Sequence, residues 1–191
     1  TMIPVRDEVE WEFSFSKYMQ RQNLPKLHAV SVLMGANDLQ ICPYEASDER
    51  IATYLHYMER FIRSVREYDA QLPVVINLPI LGAEQHAWGK QLGCRGTQKM
   101  YRYNILRANQ SLIMQYGNRE REHIFLSPMY LNLDPVYGFP KEGYSVNSYA
   151  GDIVEHQSNW VHPNTNGYCQ MGDVLGGVLE KIRMHTDAEG E

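Results

Sequence analysis

The order of predicted elements along the chain indicates an α/β fold, a three-layer α/β/α sandwich around a mainly parallel sheet. Three continuous apolar runs of strand length occur at residues 28–34, 72–78 and 123–127, as expected for strands buried on both faces. Helical patterns separate these runs, and such alternation is typical of a parallel sheet. Because no repeat or linker divides the 191 residues, we expect one domain over 1–191.

Apolar residues at helical spacing predict the helices of this sandwich. The longest spans residues 48–68, with Ser47 or Asp48 as its N-terminal cap, and the next spans 98–116. A short helix is expected over 13–22. The last helix has an apolar face made of Tyr168, Met171, Leu175, Val178 and Ile182.

The remaining segments read as connections. Residues 128–157 have no helical period, and we expect them to form an excursion over the strand ends, while 186–191 form a flexible tail. Ligands of α/β folds bind beyond the carboxyl ends of the strands. The segments 35–38, 79–96 and 128–162 all fall at that edge, so it is the predicted location of a functional site.

Composition excludes several classes of function. The formal net charge of −5 and the pI of about 5.8 argue against a nucleic-acid partner, which favours a basic face. No apolar run approaches the roughly 20 residues of a membrane span, and the acidic N-terminus does not resemble a signal peptide. The three cysteines lack metal-ligand spacing, and we expect no cofactor and no metal.

His162 is the strongest candidate for chemistry. Histidine is the side chain best suited to accept and return a proton near neutral pH. Pro163 restricts the backbone directly after it, and the following residues can cap and open a helix. This pattern is typical of a histidine held on a rigid loop, although a lone histidine is often structural.

A second candidate segment is Gly35-Ala36-Asn37-Asp38, which follows the first predicted strand. The glycine allows a tight turn, and the Asn37 amide can donate a hydrogen bond to developing negative charge, as an oxyanion hole requires. We expect Asp38 to bind backbone amides of its own loop. A plain Asx turn after a strand is the alternative interpretation.

Together these motifs resemble the SGNH (GDSL-type) hydrolase family. The matching stretches are LMGANDL (33–39) and NWVHPNTNGYCQMGDVL (159–175), preceded by FSFSKYM (13–19) and KLHAVSVLMG (26–35). The resemblance implies a flavodoxin-like sheet and hydrolysis of an acyl or acetyl ester by a serine nucleophile. It implies that His162 is the general base and Asn37 an oxyanion-hole donor, with Gly35, Asp38 and Trp160 near the substrate. The matching branch is bacterial and phage-associated, so an extracellular or virion-associated location is compatible with it.

The chain departs from the family at two places. Asn159 stands where the family has an aspartate that orients the histidine, and Asp152 or Glu155 could replace it only if their loop folds back. No Gly-Asp-Ser motif is present. We therefore expect a C-terminal portion that lacks the first strand, with the serine supplied by a missing N-terminal half or by another protein chain. The sheet should then have an open edge beside residues 28–34.

Several functions remain as alternatives. The preferred substrate is a carbohydrate O-acetyl ester, for example on a polysaccharide, because residues 128–149 are tyrosine-rich and Trp88 and Trp160 add aromatic side chains. A catalytically inactive module for binding or assembly is the second hypothesis. Weaker ones are a metal hydrolase using His86, His123, His156 and His162, and a cysteine nucleophile at Cys42 or Cys94.

Overall fold

The computed structural model of the protein describes residues 2–5, 10–84, 87–88, 97–149 and 151–189. In chain order the elements are β1 (Met2–Val5), β2 (Glu10–Phe13), α1 (Phe15–Arg21), β3 (Val30–Val32), α2 (Ala36–Leu39), α3 (Ser47–Tyr68), β4 (Val74–Asn77), α4 (Gln98–Tyr116), β5 (Ile124–Ser127), α5 (Met129–Asn132), β6 (Lys141–Ser145), β7 (Ile153–Gln157) and α6 (Thr165–Glu189). The chain is therefore mixed α/β, as predicted.

The three predicted apolar runs form one parallel sheet in the order β3–β4–β5. Val74 in the central strand pairs with Val30 on one side and with Ile124 on the other. All four residues of β4 are buried, which explains their continuous apolar run. The parallel sheet predicted from sequence is confirmed. Since its strands are parallel, all three carboxyl ends lie at one edge.

Residues of the parallel sheet divide between two hydrophobic clusters. Val74 and Ile76 belong to a hydrophobic cluster with residues of α1, α3 and α4, whereas Val75 and Phe125 contact a cluster that contains Ile182 of α6. Successive strand residues point to opposite faces, which explains why neighbouring residues of β4 belong to different clusters.

The helix bounds follow the predictions closely, with one error in capping. α4 spans the predicted residues, and the Thr97 hydroxyl accepts a hydrogen bond from the Met100 amide at its start. The expected cap of α3 by Ser47 or Asp48 is wrong. A 3₁₀ turn over Tyr44–Ala46 runs directly into α3, so Ser47 is already the first helical residue and Ala46 holds the cap position.

Two antiparallel hairpins lie outside the parallel sheet. β1 pairs with β2, and β6 pairs with β7 inside the segment 128–157, for which the sequence predicts only an excursion over the strand ends. Most residues of β6 and β7 are exposed, so no apolar alternation marks them in the sequence. α6 continues to Glu189, so the described part of the expected flexible tail is helical. Among the described residues, no helix combines the length and the apolar character that crossing a bilayer requires.

Candidate active site

Gly35 begins the short helix that carries Asn37. Its φ of 96° lies in the left-handed region, which a glycine adopts without strain. A Cβ at this position would lie 3.1 Å from the Tyr54 ring. The Tyr54 hydroxyl donates a hydrogen bond to the Met34 carbonyl at 3.3 Å, which fixes the turn between β3 and α2. Backbone conformation and packing therefore both favour glycine here.

The carboxyl end of α2 is fixed by a buried side chain of α4. Asn104 Nδ2 donates to the carbonyl oxygens of Leu39 at 3.0 Å and Cys42 at 2.8 Å. Leu39 itself is fully buried. The side chain of Asn37 is exposed, and it forms no hydrogen bond to the described residues, so its amide is available to a ligand.

Asp38 does not bind backbone amides of its loop, contrary to expectation. It is exposed and makes no hydrogen bond within the described part of the chain. Its carboxylate acts at a distance on Tyr54. Burial, and then the negative charge of Asp38, raise the pKa of the Tyr54 phenol. The loop is held by Tyr54 and Asn104, and the Asp38 carboxylate remains accessible.

Asn159 shapes the turn that carries His162. Its side-chain oxygen accepts hydrogen bonds from the backbone amides of Val161 at 3.1 Å and His162 at 2.8 Å. This arrangement is an Asx turn. Asn159 stands at the position of the family's orienting aspartate, but its side-chain oxygen accepts from two backbone amides and forms no hydrogen bond with the imidazole. Asn159 therefore positions the backbone of His162 and not its ring.

The loop after β4 contacts this turn through its backbone. The Ala83 amide donates to the Trp160 carbonyl at 2.9 Å. Gly82 has a φ of 73°, and a Cβ there would lie 2.7 Å from the same carbonyl oxygen. Next to this contact, the Glu84 amide donates to Gln157 Oε1 at 2.8 Å. The close approach of the two segments requires a glycine at position 82.

The loop after β5 holds the turn from its other side through Asn164. The Asn164 side chain donates to the carbonyls of Tyr137 at 2.8 Å and Phe139 at 3.0 Å. Its side-chain oxygen accepts from the Gly167 amide at 2.9 Å and caps α6. The helix start predicted after His162 is confirmed. His162 is thus fixed between the loops that follow β4 and β5.

The two candidate segments share one hydrophobic cluster. Leu39, two residues after Asn37, belongs to the cluster against which Trp160 and Val161 pack. The Trp160 ring lies 4.7 Å from the Trp88 ring between centroids. Packing against Trp88 explains why Trp160 is half-buried. Both segments therefore lie at the carboxyl edge of the sheet and are anchored in common core residues.

No nucleophile contacts His162 within the described residues. The His162 side chain is exposed, and no serine hydroxyl of the described residues forms a hydrogen bond with its imidazole. Cys42 is buried, and its thiol contacts the Pro43 carbonyl at 3.5 Å. Cys94 lies outside the described residues. Burial of the Cys42 thiol argues against its role as a nucleophile.

The other proposed substitutes also form no hydrogen bond with the imidazole within the described residues. Asp152 and Glu155 are exposed on or beside β7, and neither forms a hydrogen bond with His162. No group of three metal-ligating side chains occurs among the described residues. His86 lies outside them.

Two residues that position the turn were not identified from sequence. Buried Gln157 donates to the carbonyls of Pro135 at 2.6 Å and Val136 at 3.0 Å, in addition to its bond from Glu84. Its hydrogen-bond partners lie in other loops, and no local sequence pattern indicates which loops these are. For Asn164 a signal was available, because an asparagine just before a helical run is a favoured cap.

Comparison with known proteins adds no family assignment. Neither the protein-family models, nor the curated proteins, nor the solved structures provide a match to this chain. The functional interpretation therefore depends on the two segments at the sheet edge and on the side chains that they present.

Proposed function

We propose that this protein is an ester hydrolase of the SGNH type, with the three-layer, flavodoxin-like architecture of that family. The observation that carries the proposal is the common anchoring of two remote segments. The segment of Asn37 follows β3, and the turn of His162 is bonded to the loops after β4 and β5. Both pack on one hydrophobic cluster at the carboxyl edge.

The chemistry follows from the groups on these segments. A serine hydroxyl attacks the ester carbonyl while the His162 imidazole accepts its proton and then gives that proton to the leaving alcohol. The Asn37 amide donates to the oxyanion that forms on the carbonyl oxygen. Water then hydrolyses the acyl-serine with His162 again as the base. The serine is supplied by a segment outside the described residues.

The environment of His162 predicts a slow enzyme. The Asn159 oxygen already accepts two backbone hydrogen bonds, and it has no charge with which to stabilise an imidazolium. In serine proteases, replacing the orienting aspartate by asparagine lowers the rate by about 10⁴-fold. An activated ester, or an acetyl ester with little steric demand, is the substrate that such a base can still process.

A carbohydrate O-acetyl ester fits the surface beside the turn. Beside the turn, Tyr137 is 69% exposed, and its backbone carbonyl accepts a hydrogen bond from Asn164. Tyr149 is also exposed, at the far end of the β6–β7 hairpin. Lys141 Nζ lies 4.9 Å from the centre of the Tyr137 ring. Amphipathic aromatic side chains of this kind offer an apolar face and a polar edge to a sugar.

The test supplies the missing nucleophile. We would mix the protein with a strand-forming peptide that ends in Gly-Asp-Ser and measure hydrolysis of p-nitrophenyl acetate and of acetylated xylan. Hydrolysis should exceed that of the His162→Ala and Asn37→Ala variants, and a peptide ending in Gly-Asp-Ala should give none. His56→Ala, at an exposed histidine of α3, is the matched control. Equal rates for wild type and His162→Ala would contradict the proposal.

One observation favours a second function, a catalytically inactive module for binding or assembly. Within the described residues, His162 has neither a serine partner nor a carboxylate partner. For such a module the peptide mixture gives no hydrolysis with either ester, while binding of acetylated xylan is retained in His162→Ala.

A further inference from the structure

The outer face of α4 carries large apolar side chains that solvent reaches. The exposed fraction is 40% at Tyr103, 49% at Leu106, 44% at Ile113 and 79% at Met114. The inward face of the same helix packs in the hydrophobic core, so α4 is apolar on both sides. Because a helix at a protein surface normally has a polar outer face, this one has the character of a contact surface.

Four outer positions of α4 follow the spacing of a helix–helix contact. Tyr103, Leu106, Gln110 and Ile113 are separated by 3, 4 and 3 residues, the repeat with which helices meet side by side in a coiled coil. We call this row the α4 seam. Gln110 is its single polar member, and all four residues are exposed. The row therefore has the pattern of a helix that packs against a second helix.

The apolar surface continues from the α4 seam onto the loop after α2. The Tyr44 ring, 42% exposed, meets the Tyr103 ring edge to face, with 4.9 Å between the centroids. Ile41 is 52% exposed, and the carbonyls on either side of it accept hydrogen bonds from Asn104 of α4. Together the six apolar side chains expose on the order of 600 Å². With the polar flanks of the seam, this area approaches the roughly 800 Å² that each partner contributes to a stable interface.

Charge is unevenly distributed along α4. Lys99, Arg102 and Arg107 all lie in the amino-terminal half, and no charged residue occurs between 108 and 116. A second α4 aligned in the same direction would bring like charges together, whereas an antiparallel one places each basic half against an uncharged half. The carboxyl end of the second helix, where the helix dipole is negative, then lies opposite Lys99. The charges of α4 thus fit another copy of the same helix in the antiparallel orientation.

We propose that the protein forms a symmetric dimer in which two α4 seams pack antiparallel about a two-fold axis. The axis lies level with residue 108. In this register Leu106 of one copy packs against Gln110 of the partner subunit, and Tyr103 packs against Ile113 of the partner subunit. The inference goes beyond the proposed hydrolysis, because it uses neither His162 nor Asn37.

A segment added to the sheet fits this face less well than a second copy. α4 contacts β5, which lies at the opposite edge of the sheet from β3. A strand placed beside β3 therefore does not reach the α4 seam.

A lipid surface also fits this face less well. Such a surface attracts apolar side chains that are surrounded by basic groups without partners. Arg102 forms an ion pair with Glu84 at 3.6 Å. Arg107 forms an ion pair with Asp48. Two of the three basic groups of α4 are thus already compensated within the chain.

Sedimentation equilibrium of the whole 191-residue protein tests the dimer. We expect the wild type to dimerise with a Kd of about 10 µM. Leu106→Glu places a charge in the α4 seam and should weaken dimerisation by at least about tenfold. Met184→Glu, at a 62% exposed position of α6, is the matched control and should leave the Kd unchanged. Circular dichroism verifies that the variants fold, and Ile113→Lys provides the same test if Leu106→Glu does not.

A mixture of two variants tests the register. Gln110→Lys alone should weaken the dimer, because it places a lysine ammonium against the apolar Leu106 of the partner subunit. In a mixture of Leu106→Glu and Gln110→Lys proteins, the introduced carboxylate of one copy lies beside the introduced ammonium of the other. The mixture should therefore associate about fivefold or more tightly than either variant alone. A parallel pair would keep the two introduced charges apart and give no such gain.

Three results would overturn the inference: a wild type that remains monomeric at about 200 µM, equal dissociation constants for the wild type and a folded Leu106→Glu protein, or a mixture that associates no more tightly than its components. Vesicles of phosphatidylcholine and phosphatidylserine distinguish the remaining occupant. Binding of a monomeric wild type to these vesicles, lost in Leu106→Glu, would assign the face to a lipid surface and exclude the dimer.

Discussion

Gly167 in the first turn of α6 contacts the backbone of Gly138 in the loop after β5. A Cβ on Gly167 would lie 2.2 Å from the Gly138 carbonyl oxygen. The same carbonyl accepts the Asn164 amide at 2.9 Å. The helix that follows His162 can reach this loop only because position 167 has no side chain.

Gly167→Ala should therefore separate α6 from the loop and lower the free energy of unfolding by about 2 kcal/mol or more. The contacting atom belongs to the backbone, so it cannot rotate away. Gly176→Ala is the matched control, because nothing lies within 4 Å of a Cβ at that helical position. That change should stabilise the protein by roughly 0.5–1 kcal/mol. Urea unfolding measures both, and equal midpoints would show that the contact is absent.

Gly82→Ala should disrupt the contact between the loop after β4 and the turn of His162. The substitution combines a left-handed φ of 73° with a Cβ 2.7 Å from the Trp160 carbonyl. We expect a loss of about 2 kcal/mol or more and a change in tryptophan fluorescence, since Trp160 and Trp88 pack together. Gly151→Ala, with open space around its Cβ, should change neither property. A normal spectrum for Gly82→Ala would contradict this account of the turn.

The parallel sheet was predictable because each of its strands is buried as a continuous run. Val74, Val75 and Ile76 are fully buried, and because buried strand residues are apolar, the strand can be recognised in the sequence. The β6–β7 hairpin was not predictable on the same basis. Ile153 is 64% exposed, and most residues of the two paired strands are exposed as well. Without a buried face, the strands have no alternation of apolar and polar residues in the sequence.

Part of the candidate site was also predictable, and part was not. Gly35 and Asn164 follow local rules, a left-handed turn and a helix cap, that a short stretch of sequence contains. The role of Gln157 depends on carbonyl groups about twenty residues away, at Pro135 and Val136. Such partners are known only once the chain has folded.

Glu59 should make the protein less stable in acid. Burial raises the pKa of this carboxyl, but hydrogen bonds from Gln115 and Arg119 and the Arg119 charge outweigh that effect and lower it below its ordinary value of 4.5. The ionised form therefore stabilises the fold above the unfolded-state pKa, and this stabilisation is lost as the pH falls through the folded-state pKa.

Because the Arg119–Glu59 pair is partly exposed, its contribution is below about 1 kcal/mol. The free energy of unfolding should therefore fall less for Glu59→Gln than for the wild type when the pH is lowered from neutral to below 4.5, and the difference is the contribution of this pair. Urea unfolding at several pH values measures the difference. Parallel stability curves for wild type and Glu59→Gln would show that Glu59 does not contribute to the acid sensitivity.

Asn159→Asp should increase esterase activity in the presence of the Gly-Asp-Ser peptide. One carboxylate oxygen can keep the bonds to the amides of Val161 and His162, at 3.1 and 2.8 Å in the wild type, while the second is free to accept from the imidazole. The added charge stabilises the imidazolium that forms during attack, and the full effect of such a carboxylate is about 10⁴-fold.

We expect a rise in kcat/KM of at least about tenfold for p-nitrophenyl acetate, with most of it in kcat, because the charge acts on the transition state. Asn166→Asp, at an exposed residue in the first turn of α6, adds the same charge without contact to the turn and should leave the rate unchanged. Thermal unfolding verifies that both variants fold. An unaltered rate in a stably folded Asn159→Asp protein would show that the imidazole does not lie within reach of residue 159, and it would contradict the attribution of the slow rate to this residue.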